Sequence, residues 1–264
     1  MVKRILTILT WTVSFAGLVA LLGFARQMHY LLPVSGLDLT IEHQPDGSFL
    51  PYNQTYAEIK DLVGANGLKS LGGTNIKQLE ERLRDNPFVA EAEAYTTLER
   101  RFRIRLVERK PFMRFFTQSG QTYYIDEQMV IFPTHPEYVA RVIVANGHIA
   151  SVPVEQNHAL PLHQLINRKH AAIAVAAVAK VINRDDFLKA LIDQIFVTED
   201  SLIELSPKIG NAPIMLGDTT NLSEKMAAIS AFFRSQSANP QLGRFKTINA
   251  SYRNQIVCTQ NDTL

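Results

Sequence analysis

The densest reactive chemistry lies at residues 100–116, RRFRIRLVERKPFMRFF, where seven of the first fifteen residues are Lys or Arg and four phenylalanines intervene. Guanidinium groups in such a run can clamp phosphates or meet an acidic protein surface. Glu108 is the one acid among them. A glycoside hydrolase needs paired carboxylates, and no second carboxylate is signalled. His158, His163 and His170 are five and seven apart, and the last two can share a helix face. Zinc pairs on helices usually sit four apart with a third ligand in view, so a solvated helix face is expected. GANGLKSLGG at 64–73 looks like a phosphate loop. A P-loop needs Gly directly before Lys-Ser/Thr, whereas Leu68 intervenes, which leaves a turn. Asp185-Asp186 precedes Phe187 as a helix cap would. The chain has no Gly-x-Ser-x-Gly and no Ser-x-x-Lys, and its one cysteine, Cys258, can form neither an intramolecular disulfide nor a cysteine zinc cluster. The expectation is a protein that is not an enzyme and carries no metal or cofactor.

What positions these residues begins with the N-terminus. Between Arg4 and Arg26 lie 21 uncharged residues, ILTILTWTVSFAGLVALLGFA. At about 1.5 Å per residue they span roughly 30 Å, one hydrocarbon core. The hydroxyls of Thr7, Thr10, Thr12 and Ser14 can bond back to the helix. Lys3 and Arg4 before the segment and Arg26 after it put the N-terminus in the cytoplasm and the bulk of the chain outside. A cleaved signal peptide ending at Ala25 is the rival, although the apolar run exceeds the usual h-region. With 264 residues and a net charge of +2, the basic run is offset elsewhere, which argues against a dedicated polyanion binder.

Within 34–110 the order is β-α-α-β-β. Leu37, Leu39 and Ile41 alternate with polar residues, and 54–63 has helical spacing. Thr74 opens TNIKQLEERLRDNP as a cap, with Pro87 as the stop. Phe102, Ile104 and Leu106 alternate with Arg101, Arg103 and Arg105. Period two makes this a strand with a buried apolar face, and the arginines become its solvated face or a basic patch for a partner. A base-reading sheet would show aromatics on the exposed face, but Phe102 is on the apolar one. From 111 to 258 the chain is strand-rich α+β with two helices. Strands are expected at 112–116, 122–125, 130–132, 139–145, 192–197, 202–205, 214–216, 245–250 and 254–259. One long helix is expected over 158–183 and another from about 221 or 223 to 237. Residues 1–4 form a cytoplasmic stub, 5–25 the transmembrane helix and 259–264 a flexible tail.

Several stretches together resemble one family. Val107-Glu108-Arg109-Lys110-Pro111 matches a Val-Glu-Arg-x-Pro strand end. LEERLRDNPFVAEAEAY at 79–95, YYIDEQMVIFP at 123–133, LSPKIGNAPIMLG at 205–217, KMAAISAFF at 225–233 and INASYRNQIVC at 248–258 follow in order. The chain is similar to the bacterial division proteins FtsQ/DivIB, and the unit at 34–110 is similar to that family's POTRA domain. Gln128 stands where glycine is usual, so that turn is built differently, and Asn249-Ala250-Ser251 replaces an Asp-apolar-Arg triplet. The resemblance implies a non-catalytic septal scaffold in the inner membrane that binds FtsB and FtsL and regulates septal peptidoglycan synthesis. It implies recruitment through the membrane-proximal unit, for which Arg101, Arg103 and Arg105 are the candidate face. It also implies partner-strand uptake at a C-terminal edge, for which Thr247, Asn249, Ser251, Tyr252 and Arg253 are the candidates. Neither nucleic acid nor a small-molecule substrate is expected. The alternative is a POTRA-containing export or outer-membrane assembly factor, which would carry several such units or a barrel.

Overall fold

The structure is a computed structural model that describes residues 2–31, 35–45, 47–65, 75–152, 158–165, 170–236, 240–253 and 255–260. Most of the phosphate-loop look-alike lies outside them. The chain divides into two compact units, Met1–His43 with Leu50–Asp85 and Val89–Glu108, and Gln44–Phe49 with Asn86–Phe88 and Arg109–Leu264.

The first unit begins with helix α1, Val2–Leu31. Its stretch Ile8–Ala25 is long and apolar enough to cross a membrane. The Thr12 hydroxyl donates to the Leu9 carbonyl at 2.8 Å, the back-bonding expected of hydroxyls in an apolar helix. The rest is β1 Gly36–Glu42, α2 Tyr52–Ala65, α3 Ile76–Arg84, β2 Val89–Thr96 and β3 Arg101–Glu108. The sheet order is β1-β3-β2, with β1 parallel and β2 antiparallel to β3. The cap of α3 is Asn75, whose side chain accepts from Gln78 N; the sequence pointed one residue earlier, to Thr74. Phe102, Ile104 and Leu106 are almost fully buried, and each contributes about 1.5–3 kcal/mol.

The second unit is built on one ten-stranded mixed sheet. Its elements are β4 Pro111–Phe116, β5 Thr122–Asp126, β6 Val130–Pro133, β7 Ile143–Gly147, β8 Leu160–Pro161, α4 Leu162–Leu165, α5 Ala171–Arg184 and α6 Asp186–Leu191. Strands β9 Ile192–Val197, β10 Ile203–Pro207 and β11 Ile214–Gly217, helix α7 Leu222–Gln236, and strands β12 Phe245–Asn249 and β13 Val257–Gln260 complete it. The sheet order is β13-β12-β11-β10-β9-β7-β4-β5-β6-β8. Alanines and β-branched residues of α5 (Val175, Val178, Ile182) pack with Met113, Phe115 and Ile195 in the main core. Phe49, Tyr124 and Phe132 form a second aromatic cluster.

Several sequence expectations need correction here. The long helix over 158–183 is not continuous: Leu160–Pro161 is a strand, α4 is one turn, and α5 starts after His170. His170 ends the interval because its side chain caps α5, accepting from Ala172 N. The α-helices of this unit number four rather than two among the described residues, and a 3-10 helix, Pro240–Arg244, precedes β12. The strand expected at 139–145 starts only at Ile143. Thr259 and Gln260 belong to β13 rather than to a tail.

Candidate functional site

The arginine face is a ladder of charge pairs. Alternation along β3 turns Arg101, Arg103 and Arg105 outward, and the flanking strands turn Asp38, Glu42, Glu91, Glu93 and Tyr95 to the same side. Arg101 bonds Asp38 through two nitrogens. Arg105 reaches Glu42 at 2.7 Å on β1 and Glu93 at 3.4 Å, directly opposite on β2. Arg103 stands over the ring of its cross-strand neighbour Tyr95 at 5.9 Å. The Arg101 guanidinium holds the Asp38 carboxyl below its usual range. Arginines that the sequence groups as a basic run are therefore mostly matched by acids from strands distant in sequence.

The β2 edge of this sheet is partly covered by side chains of α3. Glu80 of α3 accepts from Ala94 N at 2.9 Å, Arg84 donates to the Ala92 carbonyl at 2.8 Å, and the two side chains pair with each other at 3.3 Å. Two of the backbone groups that would recruit a stray strand are thus occupied. Glu108 is buried and bonded to His43 at 3.2 Å, which makes it a structural carboxylate.

Two of the motif stretches meet in the second unit. Arg109 bonds Asp126 at 2.5 Å, with the Arg109 side chain 11% exposed and that of Asp126 1% exposed. Asp126 also accepts from Val130 N at 2.8 Å and so closes the β5–β6 turn. Gln128 has no need of glycine there, because the left-handed residue is Met129, with φ 61.

At the C-terminal end, β12 pairs in parallel with β11 on one side and antiparallel with β13 on the other. Thr247 and Asn249 therefore lie one strand in from the edge. The Thr247 and Thr259 hydroxyls share a hydrogen bond of 2.5 Å across the ladder. Asn249 folds over its own backbone and accepts from Ser251 N and Ser251 Oγ. Ser251, Tyr252 and Arg253 follow β12 in the connection to β13. Tyr252 is 51% exposed, and Arg253 makes a loose pair with Glu224 at 3.7 Å. Among the described residues the open edge is β13, where Val257, Thr259 and Gln260 are exposed. The opposite end of the sheet is two residues long and carries Pro161, which blunts it.

The remaining candidates are structural. His163 lies on α4 and His170 caps α5, so they share no helix face. Burial lowers the His170 pKa, consistent with a neutral imidazole acting as an acceptor. Asp185 caps α6 by accepting from Phe187 N and Leu188 N, as the sequence suggested. Burial pushes the Cys258 thiol up, away from thiolate chemistry. Among the described residues no cluster of three metal-ligating side chains occurs.

No curated protein matches the chain. The profile described as FtsQ/DivIB, C-terminal related, matches residues 110–259, more than half of the chain. That span runs from the residue before β4 to within one residue of the end of β13. The chain belongs to the FtsQ/DivIB family of cell division proteins.

Proposed function

We propose that this protein is a non-catalytic scaffold of the bacterial divisome that binds FtsB and FtsL and regulates septal peptidoglycan synthesis. In this proposal α1 anchors it in the inner membrane with the N-terminus cytoplasmic, and the β-α-α-β-β unit is a POTRA domain that helps recruit it to the septum. The observation that carries the proposal is the open β13 edge at the end of the ten-stranded sheet. An edge strand offers its outward N–H and C=O groups to an incoming strand, and alternate side chains select it. In this proposal Tyr252, half-exposed in the β12–β13 connection, is the aromatic anchor, and Thr247, Asn249, Ser251 and Arg253 are the further partner contacts. Of the arginine face, Arg103 is the member that forms no ion pair among the described residues, which makes it the first recruitment contact to test.

The test is calorimetry of FtsB binding to the full chain in detergent. Neighbouring residues on a strand direct their N–H groups to opposite sides, so of Cys258→Pro and Thr259→Pro one breaks the β12 ladder and the other removes only an outward donor. The variant that keeps its fold is expected to bind FtsB at least about tenfold more weakly, as is Tyr252→Ala. Full affinity in both folded variants would remove the edge from the proposal.

A further inference from the structure

The second unit holds a cleft of about 630 Å³, none of whose lining residues belongs to β12 or β13. Topology explains its charge. Strands β4, β7 and β9 run parallel, so their N-terminal ends lie at one end of the sheet. Strand β10 is antiparallel to β9 and returns its C-terminal end to the same place. Lys110 precedes β4, Arg141 precedes β7, Lys189 lies on the helix leading into β9, and Lys208 follows β10. A hydrogen bond of 2.7 Å from Lys208 N to the Leu191 carbonyl ties two of these segments together. Four cations from distant parts of the sequence thus gather on one rim.

All four are exposed, and among the described residues none forms an ion pair. Glu127 and Asp193 share the rim, so cations outnumber acids by four to two. Its lining holds the partly exposed apolar residues Tyr138, Val142 and Ile143 beside the buried Phe112, Ile182 and Ile192. The volume lies within the roughly 300–1,000 Å³ of ligand pockets.

We propose that this cleft docks an extended acidic segment of a partner protein, with an apolar side chain against Val142 and Ile143 and carboxylates on the four cations. The inference rests on the proposal that the chain works by binding other proteins. The apolar part of the lining, Tyr138, Val142 and Ile143, favours a peptide over a sugar-phosphate polymer, which has nothing to place on it. The planar Arg141 fork suits a carboxylate held by two bonds.

The experiment uses the full chain in detergent and a fluorescein-labelled peptide, Asp-Leu-Glu-Leu-Asp, followed by anisotropy at low salt. The acidic peptide is expected to bind, and Lys-Leu-Lys-Leu-Lys is not. Lys189→Glu with Lys208→Glu changes two exposed side chains and is expected to weaken binding at least about tenfold, with an unchanged circular dichroism spectrum. Lack of binding, equal binding of the lysine peptide, or insensitivity to the double variant would each overturn the proposal. So would inorganic polyphosphate binding where the acidic peptide does not. FtsB calorimetry is read separately. A bound FtsB with no peptide binding removes the cleft alone, and the reverse result removes the β13 edge and leaves the cleft.

Discussion

On the three-stranded sheet, Arg101 and Arg105 each meet a carboxylate from a neighbouring strand, and Glu80 with Arg84 partly covers the β2 edge. On the ten-stranded sheet, among the described residues, Lys110, Arg141, Lys189 and Lys208 line a cleft without an ion pair and β13 ends the sheet with no strand beyond it. The unit that is richer in arginine along the sequence thus has the quieter surface. Strand pairing brings acids to its arginines in register, whereas the cations of the second unit converge from four segments with too few acids among them. Electrostatic recognition depends on what remains unmatched in space, so the density of basic residues along the chain picked out the better-matched face.

The largest test of this contrast is Arg109, a paired arginine whose side chain is only 11% exposed. Arg109→Leu leaves the Asp126 carboxylate in the core without its cation, and breaking such a pair costs about 3–5 kcal/mol. Urea denaturation of the full chain should show the loss. If Arg109→Leu costs no more than a surface substitution, the pair is not what joins its two motif stretches. Next in size is the partly covered edge. Glu80→Ala with Arg84→Ala frees the Ala94 N–H and the Ala92 carbonyl, at a cost of about 1–2 kcal/mol. It is also expected to produce concentration-dependent association in sedimentation velocity. A monomeric, equally stable variant would mean that the helix side chains do not guard the edge.

A smaller effect is set by pH. Thr220 and Lys225 hold Asp218 down to about 2 from an ordinary value near 4. The folded pKa is the lower one, so this contribution is present above about pH 4 and is lost as pH falls through about 2. The Asp218 side chain is 61% exposed, so solvent screening keeps the term under about 1 kcal/mol. Asp218→Asn should flatten that part of the acid-unfolding profile; an unchanged profile would place the acid sensitivity at other carboxylates.

Much of this arrangement was legible locally. Period two at 101–106 gave β3 its buried and wet faces, and Asp185 before Phe187 gave a helix cap, because both signals lie within a few residues. The α5 start was harder to read. His170 is a cap by virtue of its ring position, and nothing in an alanine-rich run separates that from a continuing helix. The matching of Arg105 with Glu42 and Glu93 was hidden because it depends on register between strands 63 and 12 residues away. The cleft was hidden for the same reason, since its four cations share no motif. The edge was nearly visible. Strands were expected at both 245–250 and 254–259, but only pairing shows that the second covers the first.

The smallest expected effect bears most directly on the arginine face. Arg105 sits between Glu42 and Glu93 with much of its side chain in water, where Coulomb attraction is weak and two long side chains must be held still. Arg105→Ala removes both contacts and leaves two exposed acids that water solvates well. The urea midpoint should therefore stay within the scatter of replicate measurements, and salt should not change that result. A clear loss of stability would mean that the ladder holds the sheet together, and its arginines would then be poor candidates for recruitment. A silent substitution leaves Arg103, Arg105 and Tyr95 available to a partner, because a surface that contributes little to folding can exchange its internal pairs for new ones on binding.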